Sequence, residues 1–470
     1  METVDLPLES RDYGTKVAAI EPGGVELIPL EERHGSPVQL LWTWASPNLE
    51  FATVFVGVIG TLFFGLSFAQ AALAIVLGTA LGSITHGYLS TMGPRTGLPQ
   101  MVASRTAFGF WGNAVPAVIS SVMAGIGWFA VNSVSGALAL SALTDLPGVA
   151  CLLVVVGIQV VVAFFGHNFV HVFERFAFPV LAVIFLVAIV IVFTKADPGA
   201  PGGGGGFGGF MLLASASFGY AAGWNPYASD YSRYLAPETS RVRVALCAGL
   251  GIFLSCTALE VAGAAAVTAG PDPFLGNPTG AFTDLLPGVL GDLTLLAIAL
   301  GAVCANILNI YSGSMAFLTL EIRLPSHIRR ALVGGVFGVI GFFIAWSGLS
   351  DAGHKYENFL LVIAYWVAPW LGVVLTDRLL RRGTPSVGAM LTLGYRNWAG
   401  PIAFVVATVV SVWLFSDQTK YVGPVSSAHP GIGDLTPVVG FALAAVLYAV
   451  LFRPLAAPTP PVPAEVGMTA

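Results

Sequence analysis

The chain has 470 residues, of which 56% are hydrophobic and 10% charged, and a formal net charge of -5; its mean hydropathy is +0.82. A soluble domain carries about a quarter charged residues, so this composition excludes a fold in water and makes the bilayer the main solvent. The small net charge singles out no partner, and no nucleic-acid partner is expected.

Residues 1–48 carry Glu2, Glu9, Glu21, Glu26, Glu31 and Glu32 and hold no apolar core flanked by a cleavage site, so no secretory signal peptide is expected. From Leu49 to Phe452 apolar stretches follow one another, each about the 20 residues needed to cross the hydrocarbon core. Breaks at charged or Pro/Gly-rich joints predict spans over 49–69, 71–91, 113–141, 147–165, 169–194, 208–234, 243–269, 285–319, 330–348, 356–377, 398–416 and 435–452. The expected class is therefore an all-α integral membrane protein with twelve transmembrane helices.

Basic residues are retained on the cytoplasmic side during insertion. With the N-terminus inside, 17 of the 20 Lys and Arg fall inside, and only Lys195, Lys355 and Lys420 fall outside. Removing one span would reverse every later loop, so both termini are predicted to be cytoplasmic, in a multi-pass plasma-membrane protein. The Gly/Pro-rich segment from Asp197 to Gly209 divides the first ten spans into five and five, and two odd-numbered halves enter the membrane from opposite sides, as in an inverted repeat. The predicted organisation is a cytoplasmic tail 1–48, a first repeat 49–194, an external loop 195–207 and a second repeat 208–377. A cytoplasmic loop 378–397, two further spans within 398–452 and a cytoplasmic tail 453–470 complete it.

Gly57 and Gly60 are expected to interrupt the first span, and Gly219, Gly223 and Pro226 the sixth. Unwound backbone at membrane depth is tolerated where it lines a cavity, so interruptions at corresponding places point to a central binding site. Close packing through small residues accounts for the same glycines equally well. The run Gly202 to Gly206 follows no strand and reads as a flexible linker rather than a phosphate loop. Cys151, Cys247, Cys256 and Cys304 lie within spans at no metal-ligand spacing and read as small packing residues.

Several polar and aromatic residues inside spans could carry chemistry. Trp128 and Asn132 are four apart on span three, Trp224 and Asn225 sit at the interruption of span six, and Asn306 and Asn309 share a face of span eight. An indole stacks on a flat heterocycle, and a carboxamide supplies donors and an acceptor to its edge. Trp at interfaces and Asn as interhelical glue are the competing reading; the mid-span place of Trp128 favours the binding role. Glu260 is an acid deep in a span without a basic neighbour in sequence, which makes it a candidate proton carrier or structural anchor. Glu174 with Arg175, and Asp230 with Arg233, read as paired interfacial charges, while His86, His167 and His171 lie near the cytoplasmic face with no evident partner.

Gly93-Pro94-Arg95-Thr96-Gly97-Leu98-Pro99, Ser104-Arg105, Phe108-Gly109, Gly127-Trp128, Ser229-Asp230-Tyr231-Ser232-Arg233-Tyr234 and Asn309-Ile310-Tyr311-Ser312 occur in that order along the spans. Over about Trp44 to Leu380 this set resembles the purine-cytosine permease branch of the nucleobase cation symporter family. The resemblance implies a leucine-transporter-type fold with two five-span inverted repeats plus two C-terminal helices, and alternating access around a site between spans one, three, six and eight. It implies that Trp128 and Trp224 sandwich a ring whose edge Asn132 and Asn309 hydrogen-bond. Ser46 is a further match near span one, and Asn306 occupies a neighbouring family position.

Sodium-coupled relatives place two hydroxyl side chains in span eight shortly before the binding Asn. Here Val303 and Cys304 stand there, and neither offers a hard oxygen. Proton coupling is therefore expected, with no cofactor. The leading expectation is a proton-coupled importer of cytosine or a related ring; a permease for hydantoin, allantoin or a B-vitamin is the alternative within the class. A membrane-embedded enzyme would need convergent catalytic groups such as a His cluster or paired Asp, and an ion channel a ring of pore-lining charges. The spans supply neither. A small heterocycle and the lipid bilayer are the expected partners, with no obligatory protein partner.

Overall fold

Helices occupy every segment whose hydropathy predicts one, and their packing sorts them into three groups. The computed structural model describes residues 24–163, 167–276, 278–322, 329–349, 352–383 and 386–462. Arg11, Lys16 and Arg323, counted above for orientation, lie outside the described residues.

The first group comprises α1 (Gln39–Ala45), α2 (Phe51–Leu62), α3 (Phe68–Ser90), α4 (Gly206–Ala222) and α5 (Arg241–Thr268). Ser67 and Gln70 form a reciprocal capping box at the start of α3, which satisfies two backbone donors. The packing of these helices depends on glycine. A Cβ on Gly57 would overlap the Glu260 carbonyl oxygen, and one on Gly263 the Val54 carbonyl oxygen, so α2 and α5 approach to backbone contact.

The second group comprises a helix from Ala114 to Val122 that passes through a π-helical turn, Met123–Trp128, into α6 (Phe129–Thr144), together with α7 (Gly148–Ala163), α8 (Gly288–Leu318) and α9 (Arg329–Gly348). Phe129, Val134, Leu152, Ile310 and Ala345 form their separate apolar core. Between the groups runs α10 (His167–Lys195), packed on α1, α5 and α8. The third group is α11 (Ala352–Leu380) against α12 (Ala399–Phe415) and α13 (Thr436–Leu455), with α11 also touching α4.

Among the described residues seven helices are long and apolar enough to cross a membrane, or eight if the bent pair Gln39–Asn48 and Phe51–Leu62 is one span. Their outward positions are apolar: Leu81, Ile84, Phe176, Val183 and Leu186 are all exposed, a surface suited to lipid rather than water.

Three expectations need correction. Helix already forms at Gln39, ahead of the expected start at Leu49, and breaks around Pro47 before resuming at Phe51. Gly57 and Gly60 do not interrupt it; both lie inside continuous helix, where they admit Glu260 backbone and the Leu213 side chain. The run Gly202–Gly206 is seated rather than free. Gly205 N–H donates to the Gly65 carbonyl at 3.0 Å, and side chains here would force the two backbones apart.

The N-terminal segment from Gly24 to Ser36 docks over one end of the bundle. Ile28 N–H donates to Gly97 O at 3.1 Å and His34 N–H to Tyr234 O at 2.6 Å. Arg33 donates to the Ile28 and Pro94 carbonyls; burial, the largest influence, draws its guanidinium down to about 10, still charged at neutral pH. At the other end, Asp417–Gln418 and Tyr421–Val422 form a two-stranded antiparallel hairpin. Asp434 beside it accepts from Tyr365 Oη and from the Asp417 and Thr436 N–H groups, and burial raises this carboxyl above its ordinary range.

Candidate functional site

Two helix breaks meet at the centre of the molecule. The first follows α1: Ser46–Asn48 forms a 3-10 turn, Glu50 is extended with φ -155° and ψ 174°, and the helix resumes at Phe51 after a 58° bend. Pro47 has no N–H to continue the ladder, and the backbone groups freed are taken up locally. Asn48 Nδ2 donates to Trp44 O at 2.7 Å, and Thr53 Oγ1 to Asn48 O at 2.5 Å. The second break follows α4, where Asn225–Tyr227 makes a 3-10 turn around Pro226 before the short helix Ala228–Ser232. Trp224 Nε1 donates to Asn48 Oδ1 at 3.0 Å, so a side-chain hydrogen bond joins the breaks across 176 residues of chain.

Trp128 ends the π-helical turn, whose wider winding re-aims this stretch of the third span. Its ring stands edge-on to Tyr220 at 5.3 Å and to Phe359 at 5.0 Å. An added Cβ on Gly223 would come within 3.3 Å of Trp128 Nε1, which brings the second break against this indole. Trp224 packs edge-on to Trp44 at 5.7 Å. The two expected aromatic plates thus border the same break from different neighbours, each 7% exposed.

The amides form a relay. Asn132 Nδ2 donates to Asn306 Oδ1 at 3.1 Å, and Asn309 Nδ2 donates to the same oxygen at 3.3 Å. Asn306 Nδ2 in turn donates to Phe129 O and Ser133 Oγ. Asn306 is therefore the hub that orients the other two, and Asn309 Oδ1 is buried without a hydrogen-bond partner among the described residues. Ser46 takes a different place: its hydroxyl contacts Glu174 and the Trp42 carbonyl.

Sequence reading missed Glu50, Asn48, Tyr220 and Phe359. Glu50 looked like a span boundary; in the fold it is fully buried, accepts from Ser135 Oγ at 3.2 Å and has the Tyr220 hydroxyl beside it, with no well-formed hydrogen bond at Oε1 among the described residues. An acid next to a Ser-Pro-Asn turn inside apolar sequence was the available signal. Glu260 is also fully buried, with Thr79 Oγ1 at 3.4 Å and the Ser217 hydroxyl beside it. The assignment of Glu174 and Arg175 as an interfacial pair is overturned. Adjacent helical positions diverge by about 100°, so Glu174 faces the core with 0% exposure while Arg175 is exposed.

Asp230 and Arg233 are likewise buried within the protein. Asp230 accepts from the Gln100 N–H, and Arg233 donates to the Gly24 and Glu26 carbonyls of the N-terminal segment. The histidines also have neighbours. His167 stacks on Tyr234 at 3.6 Å, His171 Nδ1 lies 2.9 Å from Thr43 Oγ1, and His86 stands edge-on to Trp44 at 4.3 Å.

Chemically, this is a buried, aromatic-walled centre with amide donors and acceptors and the Glu50 carboxyl at its edge, suited to a flat polar ring. Among the described residues no group of three His, Cys, Asp or Glu could hold a metal ion. A shallow cleft lies elsewhere, lined by Arg95, Ser104, Asp377, Arg378 and Arg381. It shares no residue with this centre.

Comparison with known proteins agrees with this geometry. Residues 27–440 match the model of a family described as permeases for cytosine/purines, uracil, thiamine and allantoin. The chain is 28% identical over 447 residues to a putative purine-cytosine permease of Bacillus subtilis, covering 93% of this chain and 96% of that one. It is 29% identical to a purine-cytosine permease of Emericella nidulans, covering 95% and 93%. Among solved structures it resembles Mhp1, a nucleobase-cation-symport-1 family transporter in a closed conformation with bromovinylhydantoin bound, with a TM-score of 0.73 at 20% identity over 92% of this chain and 95% of that one. That likeness identifies the fold as the leucine-transporter type.

Proposed function

The chain belongs to the family of permeases for cytosine/purines, uracil, thiamine and allantoin, and from that premise we propose that it imports cytosine or a purine-class ring by proton-coupled alternating access. It is a multi-pass membrane transporter of nucleobase-type solutes, not an enzyme. One observation carries the finer reading: two broken helices, hydrogen-bonded to each other through Trp224 and Asn48, meet beside Trp128 and the Asn132–Asn306–Asn309 relay. Half-helix ends at membrane depth supply unpaired backbone groups for ligands, and aromatic walls with amides fit a heterocycle.

In this reading Trp128 and Trp224 hold the faces of the ring and Asn132 and Asn309 its edge. Ser46 belongs to the same central region by way of the first break. Twelve spans arranged as two inverted five-span repeats plus two helices, with both termini cytoplasmic in the plasma membrane, are supported by the helix positions and by the distribution of basic residues. Proton coupling is supported by Val303 and Cys304, a buried apolar side chain and a thiol where sodium would need hard oxygens. Glu260 is one buried acid available to carry the proton. Hydantoin, allantoin or a B-vitamin such as thiamine is the second reading, favoured by the breadth of the family's own description.

The test is competition by unlabelled nucleobases, hydantoins and B-vitamins against labelled cytosine uptake, in cells expressing the protein, at two external pH values with and without sodium. Competition by cytosine and purines, with acid rather than sodium driving uptake, is the expected result. Entry of no cytosine under any condition would remove the substrate assignment.

A further inference from the structure

A second polar cluster lies on the other side of the first helix break, where the sequence offered only an interfacial charge. We infer that Glu174 of α10, with Ser46 and Cys304, is the site where the coupling proton binds. This rests on the proton-coupled reading above and assigns the proton a place other than Glu260.

Ser46 Oγ lies within hydrogen-bonding distance of two acceptors at once, the Trp42 carbonyl at 2.8 Å and Glu174 Oε2. A serine hydroxyl has one proton and two lone pairs. With Glu174 ionised, that proton serves one acceptor and the other contact sets two oxygens against each other. With Glu174 protonated, its O–H donates to Ser46 Oγ, whose own proton goes to Trp42 O, and both contacts are satisfied. Glu174 Oε1 is buried with no well-formed hydrogen bond among the described residues, and the Cys304 thiol is beside it.

The charge environment agrees. The groups facing Glu174 are Cys304 on α8, Tyr231 beyond the second break and, past Cys304, Glu50. Span α5 brings Cys256 and Glu260 to the same core, and α1 brings no titratable group. None of these is a cation. On its own helix Arg175 is exposed, and His171 and His167 continue the row by one and two turns toward the end where the N-terminal segment docks.

The site therefore bridges α10 and the broken first span, two elements that contact each other directly. A protonated Glu174 holds them together through Ser46. Release of the proton leaves a carboxylate that must be hydrated, which requires the two to part and admits water along the histidine row. Proton loss and opening of that end are thus one event: the bond between O and H on Glu174 breaks, and the proton passes to water or His171.

The test uses purified full-length protein and pH-difference infrared spectroscopy in water and heavy water, which reads carboxylic-acid protonation without any substrate. The wild type should show a titrating carbonyl band; Glu174→Gln should lack it, Glu174→Asp should retain it at shifted position, and Ser46→Ala should shift it by removing its hydrogen bond. In cells, labelled cytosine uptake should lose its acid stimulation in Glu174→Gln while cytosine exchange across the membrane persists. A titrating band unchanged in Glu174→Gln, or one removed by Glu260→Gln instead, overturns the assignment. So does uptake driven by sodium at constant pH. If wild-type protein moves no cytosine, the substrate reading fails separately, and the infrared result still decides the site.

Discussion

Asn306 is the residue on which the central amides depend. It accepts from both Asn132 and Asn309 and donates to Phe129 O and Ser133, so its carboxamide is saturated while Asn309 Oδ1 has no partner among the described residues. Removing an amide that meets the ligand and removing the one that orients it should therefore differ. Trp128→Ala and Asn309→Ala should each weaken uptake about tenfold, from an aromatic contact or buried hydrogen bond of about 1–3 kcal/mol, read from the concentration dependence of labelled uptake with expression held equal. Asn306→Ala should in addition lower the thermal unfolding temperature of the purified protein, because it leaves buried partners unsatisfied. Wild-type affinity in the first two would remove them from the site, and an unshifted unfolding temperature in the third would deny the hub.

At the scale of elements, the helices divide into those that need backbone contact and those that do not. Gly57 of α2 lies against the Glu260 carbonyl of α5, whereas Gly157 of α7 has nothing within 4 Å of where a Cβ would stand. Gly57→Ala should destabilise by about 1–3 kcal/mol, as overpacking does, while Gly157→Ala should be neutral or stabilise by up to about 1 kcal/mol through helix propensity. Unfolding temperatures of the two variants in one detergent check this; equal effects would mean that the α2–α5 contact gives way cheaply. The breaks themselves obey the same local logic. Pro47 and Pro226 remove donors; Asn48 Nδ2 satisfies the Trp44 carbonyl, and the Trp224–Asn48 bond ties the two breaks together.

For the whole molecule, the prediction concerns its sense in the membrane. Lys195 and Arg241 are both exposed and lie on opposite sides in the proposed topology. Lys195→Cys should react with a membrane-impermeant thiol reagent in intact cells, and Arg241→Cys only after permeabilisation. The reverse pattern would invert the whole assignment, because each loop's side follows from its neighbour's. In the order of packing α10 touches α1 and α5 of the group that carries both breaks and α8 of the group that carries the amide relay. That is where a coupling site can act on both.

The sequence by itself determined the solvent, the helical class and the place of nearly every helix, because hydropathy over about 20 residues is a local sum that composition settles. Its motifs also carried the family, and they supplied Trp128, Asn132, Trp224 and Asn309 as candidates for the site. Only the tertiary structure decided where the first span breaks, that Asn306 is a hub, and that Glu50 and Glu174 are buried acids. Those outcomes depend on which helix faces which: Ser46 and Glu174 stand 128 positions apart, and no local sum can tell a carboxylate at a span's edge from one enclosed by its neighbours.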